Sequence, residues 1–122
     1  MQLMEQRDEG MFLVRAVGSD AVHVGDRSIC TSFVLSPERC IEDFPARSLS
    51  EMDAAAIETV LSVKPTVVLI GTGTQQIMAP ASVLAGFLAR GVGLEAMDSR
   101  AAARTYNLLA GEGRRVAVIF LL

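Results

Sequence analysis

The chain has 122 residues and a mass of 13.0 kDa, the size of one domain that can bury a core without disulfide or metal. A net charge of −3, a pI of about 5.1 and no Lys/Arg cluster beyond the pair Arg114 and Arg115 exclude a basic nucleic-acid-binding face. One histidine, His23, and two cysteines, Cys30 and Cys40, fall short of a zinc site.

The hydrophobic share is 51% and the mean hydropathy +0.40. The longest apolar runs, residues 66–70 and 116–122, are well below the roughly 20 residues of a membrane-spanning helix. The excess therefore points to a sheet covered on both faces, or to an apolar surface used for association. The opening MQLMEQRDEG has mixed charge and no apolar segment, which predicts neither a secretory leader nor a transit peptide, and hence a cytoplasmic chain with reduced thiols.

In chain order, residues 1–45 read as β-rich. Residues 11–17 form a strand with Phe12, Val14 and Ala16 on one face. Gly18, Ser19 and Asp20 interrupt it before a second strand over 21–24, so the two predict an antiparallel hairpin. Residues 32–35 form another strand, and a fragment near Cys40 and Ile41 leads into the Phe44-Pro45 break.

Residues 50–122 read as αβαβαβ. Ser50 is the expected N-cap of the first helix, with Asp53 completing a capping box. Met52, Ala56, Ile57, Val60, Leu61 and Val63 supply its apolar stripe, and Pro65 stops it. The uninterrupted β-branched run over 66–70 predicts a central parallel strand buried on both faces. A second helix starts with Pro80 at its first position, turns Val83, Leu84, Phe87 and Leu88 inward, and ends at Gly91 or Gly93. A strand over 94–97 follows. A third helix is capped by Asp98 or Ser99, with Ala101, Thr105, Leu108 and Leu109 inward and Gly111 as its terminating glycine. A last buried strand covers 116–122. The whole is one domain, 1–122, of the α/β class, its sheet covered on both sides.

The stretch Gly71, Thr72, Gly73, Thr74, Gln75 lies past the carboxyl end of the central strand, where open α/β sheets place ligands. Its glycines and hydroxyls suit an anion, and Asp98 falls near where a ribose-binding acid would stand. Gln76 occupies the third glycine position of the dinucleotide fingerprint, and Ile77 to Pro80 delay the helix. A structural turn and a small anion or nucleotide site both stay open for this loop. Asp98 reads equally as a helix cap. Tyr106 and Asn107 are candidates for a groove rim, with a half-buried tyrosine as the alternative. His23 has no acid or serine nearby, and no Walker lysine, nucleophile elbow or Cys-x-x-Cys occurs, so no bound cofactor is expected, and an enzyme stays open only as a minor activity built on the 71–75 loop.

One pattern spans most of the chain. A strand ending Gly71-Thr72-Gly73 is followed by Gly91-Val92-Gly93-Leu94-Glu95-Ala96-Met97-Asp98-Ser99, by Thr105-Tyr106-Asn107-Leu108-Leu109, and by a Glu112-Gly113-Arg114 turn before an apolar strand. Ser32 to Pro37 add a strand-Pro element. This resembles the small uncharacterised family that includes the mitochondrial complex I assembly factor 3. The resemblance implies a three-layer α/β/α fold around a mixed, largely parallel sheet, with the β-rich N-terminal part as an antiparallel extension. It also implies a non-catalytic, assembly-factor-like protein of bacterial type, whose partners are other proteins or nascent subunits. Self-association is compatible with it, and it assigns no catalytic, cofactor or metal residue.

Overall fold

A computed structural model describes residues 10–122. The reading of the N-terminus as leaderless falls on residues 1–9 and lies outside the described residues. The fold is mixed α/β, with two sheets and three helices among the described residues.

Strands β1 (Val14–Val17), β2 (Val22–Val24) and β3 (Arg27–Ile29) form a small antiparallel sheet in that order. The predicted hairpin is β1–β2, but the regular part of the first strand begins only at Val14. Its register slips between Val14 and Ala16, a bulge that leaves Arg15 as the extra residue. The β2–β3 hairpin is an addition to the sequence reading. Its turn is Gly25-Asp26, and Val24 pairs with Arg27 across it.

The larger sheet takes β4 (Phe33–Leu35), β5 (Cys40–Ile41), β6 (Val67–Gly71), β7 (Gly93–Met97) and β8 (Val116–Phe120) in the order β5-β4-β8-β6-β7. β6 pairs in parallel with β7 and β8, whereas β4 pairs antiparallel with β5 and β8. The sheet is thus mixed, with two parallel and two antiparallel pairings. The reason lies in β4, which comes from the helix-free N-terminal part. It is joined to β5 by the short turn at residues 36–39, which pairs the two antiparallel, and it runs against β8 as well. The β-rich part is accordingly divided, β1–β3 standing apart and β4–β5 joining the main sheet.

β8 and the run through β6 are buried as expected of strands covered on both sides. Alternate residues feed two cores. Val116, Val118 and Phe120 join Leu69, Phe33 and Tyr106 on one face, while Ala117 and Ile119 join Val68, Ile70, Val60 and Phe87 on the other. The Phe33 and Phe120 rings stack with centroids 5.3 Å apart. Burying each such ring stabilises by about 1.5–3 kcal/mol.

Helices α1 (Ala54–Leu61), α2 (Ala81–Leu88) and α3 (Ser99–Gly111) depart from the sequence reading at their ends and faces. Residues Leu49–Glu51 are drawn into a 3-10 turn, so Asp53, not Ser50, caps α1, its Oδ1 accepting from Ala56 N–H at 2.9 Å. The α1 stripe holds: Met52, Ala56 and Val60 are buried, with Ile57, Leu61 and Val63 packed beside them. Pro80 stands at the N-cap of α2 in an extended conformation, one place before the helix. Val83 and Phe87 point inward, but Leu84 and Leu88 point out, because α2 is apolar all round and its own periodicity selects no face. In α3 the buried positions are Ala102, Ala103, Tyr106 and Ala110 rather than Ala101, Thr105 and Leu108, with Leu109 partly buried. Its terminating glycine is Gly113, at φ +82°, not Gly111. Gly113 N–H donates to Ala110 O and Arg114 N–H to Leu109 O, the bond pair of a Schellman ending, which needs a left-handed residue at that place.

Candidate functional site

The 71–75 loop leaves β6 and spends its donors on the protein itself. Thr72 N–H donates to Met97 O at 2.9 Å, and Gly73 N–H to Ser99 Oγ at 2.9 Å. Ser99 N–H returns a bond to Gly73 O at 2.8 Å. The Thr72 hydroxyl donates to Gln75 O at 2.6 Å, with Met97 O at 3.1 Å, and accepts from Ile77 N–H at 3.2 Å. Gly71 packs so closely that a Cβ there would lie 3.0 Å from both Phe120 Cδ1 and Ser99 Oγ. These bonds hold Thr72 and Gly73 as a latch between β6, β7 and α3. Thr74 and Gln75 are exposed at its tip.

The other candidates separate. Asp98 caps α3, its Oδ1 accepting from Ala101 N–H at 2.9 Å. Tyr106 is no rim residue. It is fully buried, and its hydroxyl donates to Phe12 O at 2.7 Å. Asn107 lies beside it and grips β1 through Val14. Of the eight candidates, the structure joins residues 71–75 with the start of α3 and sets Tyr106 and Asn107 apart, against β1.

Cys40 is no activated nucleophile. Burial first, then the Glu42 carboxylate, push Cys40 up to about 11, with Arg27 opposing. Cys40 is therefore a thiol at neutral pH, and a neutral thiol is a weak nucleophile. Among the described residues no three His, Cys, Asp or Glu side chains converge on a metal position.

What sequence reasoning passed over lies on the other side of the loop. No charged residue occurs between Lys64 and Arg90. This stretch places Ile77, Met78, Leu84 and Leu88 at the surface, Met78 at 80% and Leu88 at 72% exposure. Leu84 and Leu88 stand four apart, so they share one face of α2. A groove of about 430 Å³ runs beside the loop, lined by Leu49, Thr72, Ile77, Met78, Pro80 and Leu121 among others, with Arg47 also contributing. The signal that could have found this surface is the absence of charge from a segment containing an exposed loop and an outward helix face.

A model of the family described as a protein of unknown function (DUF498/DUF598) matches residues 14–121. The solution structure of a Xanthomonas campestris protein is similar at 40% identity and a TM-score of 0.83, covering 99% of this chain and 92% of that one. A Bordetella pertussis protein described as a Mth938-like domain is similar at 28% identity and a TM-score of 0.80, over 99% of this chain and 92% of its own. The 13 kDa major membrane protein of Francisella tularensis subsp. holarctica (strain LVS) is 32% identical over 88 residues, which are 72% of this chain and 68% of that protein.

Proposed function

The chain belongs to the DUF498/DUF598 family of proteins of unknown function, and on that premise we propose that it is a non-catalytic, assembly-factor-like module that docks another protein on the uncharged surface around α2. The observation that carries this reading is the outward pair Leu84 and Leu88 within a stretch free of charge. A folded chain gains nothing from holding leucines in water, whereas each one covered by a partner contributes about 1.5–3 kcal/mol before the entropy of association is subtracted. We carry the three-layer α/β/α arrangement into this reading, with α2 presenting one outer layer to the partner.

The partner class is a membrane-protein or respiratory-complex subunit during biogenesis, in keeping with the resemblance to the complex I assembly family. Among the described residues no helix is long and apolar enough to cross a membrane. No cofactor is needed for this role. The test is in-cell crosslinking of the wild-type chain and of Leu84→Glu/Leu88→Glu, with thermal unfolding to verify that the variant folds. A defined client that crosslinks to wild type and not to the folded variant supports the reading. Equal capture by both removes it.

A second reading rests on the groove beside Thr72. At about 430 Å³ it falls in the range of small-ligand sites, and its apolar lining with Arg47 suits an amphiphilic anion. A metabolite panel read by thermal shift tests it, since a ligand at 100 times its Kd stabilises by about 2.7 kcal/mol.

A further inference from the structure

Three arginines line one shallow groove between β1 and α3. Arg15 comes from β1, and Arg100 and Arg104 stand one turn apart on α3, over a floor that includes Val14, Ala103 and Asn107. Among the described residues no carboxylate lines this groove. Among the described residues the ion pairs are Arg27 with Glu42 and Arg90 with Glu58, so none of the three guanidiniums is paired with a described carboxylate. The larger cleft of about 410 Å³ beside Lys64, Arg114 and Arg115 differs in this respect, because Glu38 shares its lining.

The arrangement runs against the local preferences of the chain. Arg100 lies in the first turn of α3, where the helix dipole disfavours a cation. Arg100 and Arg104 are a like-charge pair four residues apart, which also weakens a helix. Arg15 is the extra residue of the β1 bulge, a device that re-aims a side chain. Its Nε–H donates to Gly25 O at 2.7 Å, which fixes the guanidinium while leaving other N–H groups to bond elsewhere. Asn107 ties α3 to β1 and so holds the two walls of the groove at a set spacing.

We propose that this groove binds the phosphate group of a small phosphomonoester. Three guanidiniums without an acid exceed what a monocarboxylate can balance. A phosphate, at about −1.5 to −2 near neutral pH, balances them better and presents several oxygens to planar, bidentate donors. The groove of about 200 Å³ is smaller than typical drug-sized sites and admits a phosphate with a short organic group rather than a nucleotide. A phospholipid headgroup carries the same chemistry, and the test separates the two sources.

Wild type, Arg104→Gln and Arg100→Gln/Arg104→Gln are titrated with inorganic phosphate and glycerol phosphate at ionic strength matched with NaCl, by calorimetry and thermal unfolding. In parallel they are sedimented with phosphatidylcholine vesicles with and without phosphatidic acid. Phosphate or glycerol phosphate is expected to bind wild type and raise its Tm. Each Arg→Gln change should weaken binding roughly 10-fold or more, the loss of one charge-assisted bond, while the ligand-free Tm stays level or rises. Sedimentation with phosphatidic acid in place of soluble binding, lost in the double variant, assigns the same site to a headgroup. The proposal is overturned if NaCl reproduces the phosphate effect and no vesicle binds, or if the double variant binds phosphate or vesicles as wild type does.

Discussion

The side-chain amide of Asn107 accepts the backbone N–H of Val14 at 2.9 Å and donates to the carbonyl of the same residue at 2.8 Å. A helix side chain thereby takes the place a neighbouring strand would hold along the edge of β1. Val14 is itself buried, so neither group has a ready substitute in water. Asn107→Ala is expected to cost about 2–4 kcal/mol, from two stranded backbone groups, read by urea unfolding. Asn107→Asp keeps the acceptor but sets a carboxylate against the Val14 carbonyl. Its deficit at pH 7 should shrink as pH falls through the carboxylate range, where an O–H donor returns.

Burial, with Cys40 as a second cause, pushes the Tyr106 phenol above its ordinary range. A group raised on folding favours the folded state while it is neutral, so its contribution is complete below the unfolded value and fades above it. Cys40, raised from 9.0 to about 11, behaves alike. Stability should hold level to about pH 9, decline as the unfolded Cys40 ionises, and fall more steeply above about pH 10 with Tyr106. Tyr106→Phe should lower stability by about 1–2 kcal/mol at pH 7 and flatten the steeper limb. Denaturant midpoints across pH 7–11 check both.

Gly71→Ala places a methyl group 3.0 Å from Phe120 and Ser99, inside the latch that joins β6 to α3. Overpacking of this kind costs about 1–3 kcal/mol. Thermal unfolding should show the loss, and hydrogen exchange at Gly73, whose N–H is held by Ser99 Oγ, should quicken with it.

Lys64 is the described non-glycine residue with positive φ, at 58°, where α1 has ended and Pro65 follows. Its carbonyl is held there by two bonds from the Arg115 guanidinium, at 3.0 and 3.1 Å. Lys64→Gly relieves a left-handed strain of about 1–2 kcal/mol at an entropic cost of about 0.5–1. A net gain of up to about 1.5 kcal/mol is expected in denaturant titration.

The strands most legible in the sequence were those buried on both faces, since β6 and β8 are apolar runs without alternation. The short β3, Arg-Ser-Ile, has no such signature and is held by its turn and by β2. The helix faces were less legible. In α3 one of the two leucines, Leu108, is 61% exposed, while small alanines do much of the close packing, so counting apolar bulk selects the wrong stripe. Asp98 as a cap was legible because the capping bond reaches only three residues. Tyr106 and Asn107 were not, because their partners Phe12 and Val14 lie more than 90 residues away in sequence.

β8 sits between β4 and β6, yet follows both in the chain. During synthesis β4 and β6 leave the ribosome with a strand-wide gap between them, and neither can finish its ladder until residues 116–120 arrive. The main sheet therefore closes late, through contacts distant in sequence, which slow folding and leave unpaired apolar edges exposed meanwhile. A nascent chain of this protein keeps those edges open until Val116 to Phe120 arrive, and premature stops ahead of Val116 should yield aggregates rather than a smaller folded core.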